Sequence, residues 1–192
     1  MPIPPSEMAL GEAFDQVLEA ARVGAEWAWR DLYRDAAPDL ARYARASRIP
    51  DPEDVVAEVF LRAVRGLASF EGNQRAFRAW LFTFARNRII DEHRKIARRR
   101  TEPVPAEVLA EIAAGDDAEA EAIRALAEER VRAVLAHLTP DQRDVLMLRI
   151  LGGLTIEEIA AIVRKRPGAV KALQARGIAA IQREVARGAV TL

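Results

Sequence analysis

The 192-residue sequence contains no cysteine and only two histidines, His93 and His137. The lack of cysteine excludes disulfide bonds, thiolate zinc sites and thiol redox chemistry. Neither histidine has a carboxylate partner at metal-ligand or acid–base spacing. We therefore expect no metal site, no cofactor and no small-molecule substrate, and the sequence argues against an enzyme.

Long apolar runs are also missing. No stretch approaches the roughly 20 apolar residues that a membrane-spanning helix needs. The N-terminus, MPIPPSEM, lacks the basic segment and apolar core of a signal peptide. These absences predict a soluble protein of a reducing compartment, with no membrane insertion.

Alternating β-type patterns are absent, whereas helical periodicity runs through most of the chain. The predicted fold is therefore all-α. Helix starts are clear at Asp51-Pro52, where Asp is a good N-cap and Pro suits the first helical position. Thr139 and Thr155 each begin a capping box, and Gly152-Gly153 ends the helix between them. The predicted helices cover 11–23, 25–47, 52–66, 75–98, 118–137, 140–151, 155–163 and 167–185.

Charge is balanced overall, with 29 basic and 29 acidic residues, but it is unevenly distributed. Residues 75–100 carry nine Lys or Arg against two Asp or Glu, and residues 164–187 carry seven against one. Residues 101–130, between the two basic blocks, carry two Lys or Arg against nine Asp or Glu. Residues 1–63, before them, carry seven Lys or Arg against twelve Asp or Glu. Two basic blocks bracketed by acidic ones indicate a polyanionic partner that is bound at two places.

The segment 100–118 contains two prolines, a glycine and several acids, with little amphipathic character. It is typical of a flexible linker. We therefore predict a disordered arm (1–10) and two small helical domains (11–99 and 119–192), joined by this flexible acidic linker.

The spacing of apolar residues over 155–181 fits a helix-turn-helix, with Pro167 starting the second helix. If Val170, Leu173 and Ile178 face inward, the outward face carries a polar, basic set that can contact phosphates and base edges. That set is Lys171, Gln174, Ala175 and Arg176. The alternative is an ordinary helical hairpin with a solvated basic face.

The basic helix 75–98 also carries four aromatic residues. Phe77, Leu81, Phe84 and Ile89 form one apolar stripe, which we assign to the core. The residues away from this stripe are Trp80, Phe82, Arg86 and Asn87. Exposed aromatics between arginines suit single-stranded nucleic acid, although all four aromatics could equally belong to the core. The loop before this helix is either a pocket for an unstacked base or a plain connection.

The helix 52–66 places Asp54, Glu58, Leu61 and Arg62 outside if Val55 and Val59 face inward. Such a mixed face suits docking to a protein, and a solvated face explains it equally well.

Four segments together resemble the extracytoplasmic-function (ECF, group IV) sigma factors of the sigma-70 family. They are DPEDVVAEVFLRA (51–63), FRAWLFTFARNRIID (77–91), LTPDQRDVLMLR (138–149), and IEEIA (156–160) with PGAVKALQAR (167–176). They follow the order and spacing of that family over about residues 15–187.

The resemblance implies a non-enzymatic bacterial cytoplasmic factor that binds core RNA polymerase, through the β′ clamp helices and the β flap, and directs it to promoter DNA. The N-terminal domain would be sigma region 2, which binds the −10 element, and the C-terminal domain would be region 4, which binds the −35 element. The implied −10 contacts are Phe70, Asn73, Arg75, Trp80, Phe82, Arg86 and Asn87. The implied −35 contacts are Arg166, Lys171, Gln174, Ala175 and Arg176, and the implied polymerase contacts are Asp54, Glu58, Leu61 and Arg62.

Members of this family are usually held inactive by an anti-sigma factor, so the resemblance also implies such a partner. The alternative function is a stand-alone helix-turn-helix regulator that binds DNA tightly without polymerase.

Overall fold

The computed structural model describes residues 10–99 and 130–187. Apart from Leu10, the predicted N-terminal arm lies outside the described residues, as does the whole of the predicted linker. The helix predicted over 118–137 falls partly in the gap, and only its end, α5 (130–136), is described.

The N-terminal domain contains α1 (Phe14–Arg22), α2 (Glu26–Ala46), α3 (Pro52–Gly66) and α4 (Gln74–Arg99). Short 3₁₀ turns precede α1 (Gly11–Ala13) and follow α3 (Leu67–Ser69). The C-terminal domain contains α5, α6 (Pro140–Ile150), α7 (Ile156–Val163) and α8 (Pro167–Ala186). All regular secondary structure in the described residues is helical, which confirms the predicted all-α fold. For the helices that lie wholly within the described residues, the predicted bounds are correct to within one or two residues, except that residues 11–13 form a 3₁₀ turn.

The predicted helix starts are confirmed at three caps. The Asp51 carboxylate accepts a hydrogen bond from the backbone N–H of Asp54 at 2.9 Å, and Pro52 follows at the first helical position. Thr139 and Gln142 form a reciprocal capping box, and so do Thr155 and Glu158. These caps satisfy N–H groups that the helices leave unpaired at their first turns.

The N-terminal core lies between α2, α3 and α4, with α1 packed on α2. Leu32, Val55 and Leu81 are fully buried there. The predicted stripe of α4 is confirmed as core at Phe77, Leu81 and Ile89, while Phe84 is half-buried.

The C-terminal core lies between α6, α7 and α8, where Leu148, Ile159 and Val170 are fully buried. The expectation that Ile178 faces inward is wrong, because its side chain is 37% exposed. Gly177 occupies the inner position instead, and a Cβ added there would lie 2.8 Å from Leu146 Cδ1. The absence of a side chain at Gly177 therefore lets α8 approach α6 closely.

Within residues 10–99 and 130–187, no helix is both long and apolar enough to cross a membrane.

Candidate nucleic-acid and protein interfaces

The first three turns of α8 form a basic, exposed surface. Lys171, Ala175 and Arg176 are exposed, and Gln174 is half-buried. Arg166, at the N-cap of α8, is exposed as well. α8 packs its opposite face on α6 and α7, where Val170 is buried. The predicted −35 residues therefore share the accessible side of the second helix of the helix-turn-helix.

The turn of this motif is set by a left-handed residue. Arg164 ends α7 with φ 55° and ψ 45°, and its N–H and that of Lys165 both bond to the carbonyl of Ala160. Glycine normally occupies this position, because an L side chain in the left-handed region costs roughly 1–2 kcal/mol. These two hydrogen bonds close the turn, and Lys165 Nζ pairs with Asp141 at 2.9 Å.

The loop between α3 and α4 is closed over an aromatic cluster. The Phe70 ring is 5.5 Å from that of Phe77 and stacks on Trp80 at 5.0 Å, with Phe84 next to Trp80 at 4.9 Å. A Cβ at Gly66 would lie 2.8 Å from the Trp80 ring, so this glycine makes room for the indole. Trp80 is half-buried and Phe70 is buried, so of these two stacked rings Trp80 is the more accessible.

Asn73 has a structural role that the motif match does not indicate. Its side-chain oxygen accepts the N–H of Ala76 at 3.0 Å, and its carbonyl accepts the N–H of Phe77 at 2.9 Å. Asn73 is therefore a cap of α4. Asn87, further along the same helix, is exposed.

The expectation that Phe82 lies on an exposed face is wrong. Its side chain is fully buried and its ring lies 5.7 Å from that of Tyr43 on α2. Phe82 shares a stripe of α4 with Arg78 and Arg86, at intervals of four residues, and both arginines bond to the C-terminal domain. A second face of α4 is therefore covered, and in this conformation the Phe82 ring cannot stack on a base.

Arg75 and Arg86, two of the predicted −10 residues, are paired with acids of the C-terminal domain. Arg86 Nε lies 2.6 Å from Asp144 Oδ2 on α6, and Arg75 Nε lies 3.1 Å from Glu158 Oε2 on α7. The Tyr43 hydroxyl also donates to Asp144. Burial and then the Asp144 charge raise the pKa of the Tyr43 phenol well above its ordinary value, so Tyr43 stays protonated and donates.

The outer face of α3 carries the four predicted polymerase contacts. Leu61 is 56% exposed, Asp54 is exposed, and Glu58 and Arg62 are half-buried and paired at 2.6 Å. Arg88 of α4 lies behind this face. Its guanidinium contacts Asp54 at 2.8 Å and Glu58 at 2.5 Å, and a third acid, Glu92, at 2.5 Å.

Arg88 was not among the predicted site residues, because its partners Asp54 and Glu58 lie on another helix and no short-range spacing reveals them. Hydrogen bonding to Glu92, against the opposing effect of burial, raises the pKa of the Arg88 guanidinium. The positive charge is permanent, and it fixes two acids of the α3 face in place.

No group of three or more His, Asp or Glu side chains in the described parts of the chain is arranged to hold a metal ion.

Two family models match the chain, one in each domain. Residues 32–100 match Sigma-70 region 2, and residues 128–181 match Sigma-70, region 4. The first match covers α3 and the aromatic cluster of α4, and the second covers the helix-turn-helix.

Two curated proteins that are similar to this chain are both named ECF RNA polymerase sigma factors. The ECF RNA polymerase sigma factor SigD of Mycobacterium tuberculosis is 34% identical over 95% of this chain and 89% of its own length. The ECF RNA polymerase sigma factor BldN of Streptomyces coelicolor is 32% identical over 88% of this chain, which spans 64% of the length of BldN.

Two solved structures have a fold similar to that of this chain. CnrH, in complex with the cytosolic domain of CnrY, has a TM-score of 0.66 and 26% identity, covering 92% of this chain and 99% of CnrH. The sigma factor RpoE of Bartonella quintana, in complex with the anti-sigma factor NepR, has a TM-score of 0.61 and 25% identity, covering 81% and 95% of the two chains. With both domain matches in order and a relative aligned along nearly its whole length, this chain belongs to the ECF sigma factors of the sigma-70 family.

Proposed function

We propose that this protein binds core RNA polymerase and directs it to promoters, where region 2 acts on the −10 element and region 4 on the −35 element. The observation that carries this function is the occurrence of both sigma-70 regions in one chain, in family order. A stand-alone regulator would need only the helix-turn-helix, so the region 2 match favours the sigma factor over that alternative. As a sigma factor, the protein supplies binding and positioning rather than catalysis.

The −35 element is the proposed ligand of α8. The accessible side of α8 carries Lys171, Arg176 and Gln174. No acidic residue occurs between residues 164 and 183. A cationic helix of this kind neutralises phosphates and can reach base edges in the major groove.

The −10 element is the proposed ligand of the loop 70–75 and of the neighbouring part of α4. Trp80, which is half-buried and stacks on the buried Phe70, offers stacking surface, Asn87 is exposed on the same helix, and Arg75 and Arg86 supply positive charge. Aromatic rings next to cations suit bases that have left the duplex. Asn73 supports this site as the cap that starts α4, and access to Phe82 would require movement of the C-terminal domain.

The α3 face is the proposed polymerase-docking surface. Leu61 and Val64 lie one turn apart and are both more than half exposed, at 56% and 54%. Exposed apolar side chains framed by ordered charges are typical of protein interfaces. The β′ clamp helices are the proposed partner of this face and the β flap that of region 4. We also propose cytoplasmic localisation, where polymerase is found, and an anti-sigma partner, since NepR is bound to RpoE in that related structure.

Polymerase docking is tested by measuring the affinity of the full chain for purified core RNA polymerase by fluorescence titration. Leu61→Asp should weaken binding by about tenfold or more, because it places an unpaired charge in the centre of the interface. Val23→Asp is the matched control, since Val23 is 85% exposed in the same domain but lies off α3. Equal affinities for Leu61→Asp, Val23→Asp and wild type would contradict the proposed docking surface.

A further inference from the structure

The surface that α2 and α4 present to the C-terminal domain carries three arginines, one of which, Arg78, also pairs with Asp35 and Asp39 of α2. It consists of Tyr43, Arg75, Arg78 and Arg86. Arg78 and Arg86 are largely buried, with side chains 5% and 14% exposed, and both donate to oxygens of the C-terminal domain. The surface is therefore occupied in the folded chain, and its occupant is the chain's own C-terminal domain.

Asp144 is the centre of this contact. Its two carboxylate oxygens are bound separately, one by the Tyr43 hydroxyl and the other by Arg86 Nε at 2.6 Å. Its side chain is 17% exposed. Arg86 also donates to the carbonyl of Ile162 at 3.3 Å. A carboxylate this enclosed is held in place by two donors from the other domain, because an unpaired charge there would be costly.

Two further contacts repeat the same pattern. Glu158 accepts from Arg75 at 3.1 Å, and the carbonyl of Leu151 accepts from Arg78 at 2.8 Å. Arginines supply the charge on the N-terminal side, and oxygens receive it on the C-terminal side. The C-terminal acids therefore occupy the positions that phosphate oxygens would take on the same arginines.

We propose that this surface has two mutually exclusive occupants, and that Asp144 is a latch that keeps single-stranded DNA off it in the free protein. The Arg86 donors that bond to Asp144 and to the Ile162 carbonyl are not available to a phosphate, and the Phe82 ring is buried in this packing. That the competing ligand is DNA rests on the proposed function; that Asp144 holds the domains together does not.

The affinity for DNA depends on the balance between a closed form, in which the two domains are packed together, and an open form, in which they have separated. If only the open form binds, the apparent dissociation constant equals the intrinsic one divided by the open fraction. Weakening the latch raises the open fraction and tightens binding, although no DNA contact has been added. Loss of a carboxylate with two donors, one of them charged, should shift the balance by about tenfold.

The test compares the full-length protein with Asp144→Asn, which keeps the side-chain shape but removes its charge. Because the chain has no cysteine, single cysteines at the exposed positions Gln16 and Gln182 allow a donor and an acceptor dye to report the distance between domains. The same proteins are titrated with a labelled 12-nucleotide single-stranded DNA. Asp144→Asn should lower energy transfer and tighten DNA binding by about tenfold.

Glu157→Gln is the matched control, because Glu157 is exposed on α7 and its loss removes the same charge from the same domain. Glu157→Gln should change neither the energy transfer between the dyes nor the affinity for DNA. Equal gains in DNA affinity for Asp144→Asn and Glu157→Gln would mean that net charge alone is responsible, and would overturn the latch. Unchanged energy transfer in Asp144→Asn would overturn it as well, and so would opening without tighter binding. Failure of the protein to bind polymerase would contradict the proposed function and leave the distance result intact.

Discussion

The guanidinium of Arg78 donates a 2.8 Å hydrogen bond to the backbone carbonyl of Leu151, a residue 73 positions later in the chain. The same guanidinium pairs with Asp39 at 2.7 Å and with Asp35 at 3.2 Å, and all three side chains are at least 90% buried. One buried arginine therefore pairs with two acids of α2 and connects the N-terminal domain to the end of α6.

Removal of Arg78 should be strongly destabilising. Arg78→Met removes the guanidinium that pairs with both Asp35 and Asp39, and breaking a buried ion pair in this way typically costs about 3–5 kcal/mol. Arg42→Met is the control, because Arg42 also pairs with Asp39, at 3.0 Å, but is 64% exposed. It should cost less than about 1 kcal/mol. Urea unfolding followed by circular dichroism measures both, and similar losses would contradict this role for Arg78.

The left-handed residue at the helix-turn-helix gives a second prediction. Arg164→Gly should raise the free energy of unfolding of the protein by about 0.5–1 kcal/mol, because relief of left-handed strain exceeds the entropy that glycine gains in the unfolded chain. Arg166→Ala removes the same charge two residues later, at φ −70°, and should not stabilise, because Ala is a poor N-cap residue. Thermal unfolding distinguishes them; a loss of stability in Arg164→Gly would show that its side chain is needed in the turn.

Glu158 gives a prediction about pH. Burial raises the pKa of this carboxyl, but hydrogen bonds from Thr155 and the nearby Arg75 outweigh burial, so its pKa lies below the ordinary value. A carboxyl with a depressed folded pKa stabilises the protein above its unfolded pKa, about 4.3, and loses that contribution as the pH falls through the folded pKa.

Glu158→Gln keeps the capping box but removes this charge. It should therefore be less stable than wild type at pH 7, by up to about 1 kcal/mol for a partly exposed pair, and the difference should shrink as the pH falls below 4. Glu157→Gln controls for the loss of one charge in the first turn of α7. Urea unfolding across this range provides the measurement, and a difference that is independent of pH would contradict the account.

Helix starts were predictable from the sequence, because each cap joins residues only three positions apart. Asp51 with Asp54, and Thr155 with Glu158, are examples. The inner face of α8 was predicted less well. Apolar character pointed to Ile178, whereas close packing of α8 on α6 selects Gly177, and this depends on the distance between two helices rather than on periodicity.

In the candidate site, too, contacts between distant parts of the chain could not be predicted from periodicity. The helical periodicity of α4 identified Phe77 and Leu81 as core residues. It could not show that a second face of α4 is covered by another domain, and Phe82 was therefore wrongly predicted to be exposed. Asp144 and Arg88 form contacts with residues 58 and 34 positions away. Nothing in their own neighbourhood of the sequence marks either residue.

The basic face of α8 gives a prediction about promoter binding. Lys171→Ala and Arg176→Ala should each weaken binding of the polymerase complex to promoter DNA, and each lost phosphate contact should flatten the slope of log affinity against log salt by about one unit. Arg183→Ala is the control on the same helix, because Arg183 is exposed near its C-terminal end. Filter binding at several salt concentrations measures these slopes; equal slopes for all three variants would exclude Lys171 and Arg176 from the contact.

The proposed function is that this chain makes core polymerase initiate at particular promoters. It is tested most directly by run-off transcription with purified core RNA polymerase and a library of genomic fragments from the source bacterium. We predict discrete transcripts from a small set of templates, only when the protein is present. Stable binding to core polymerase without any template-specific transcript would contradict the claim.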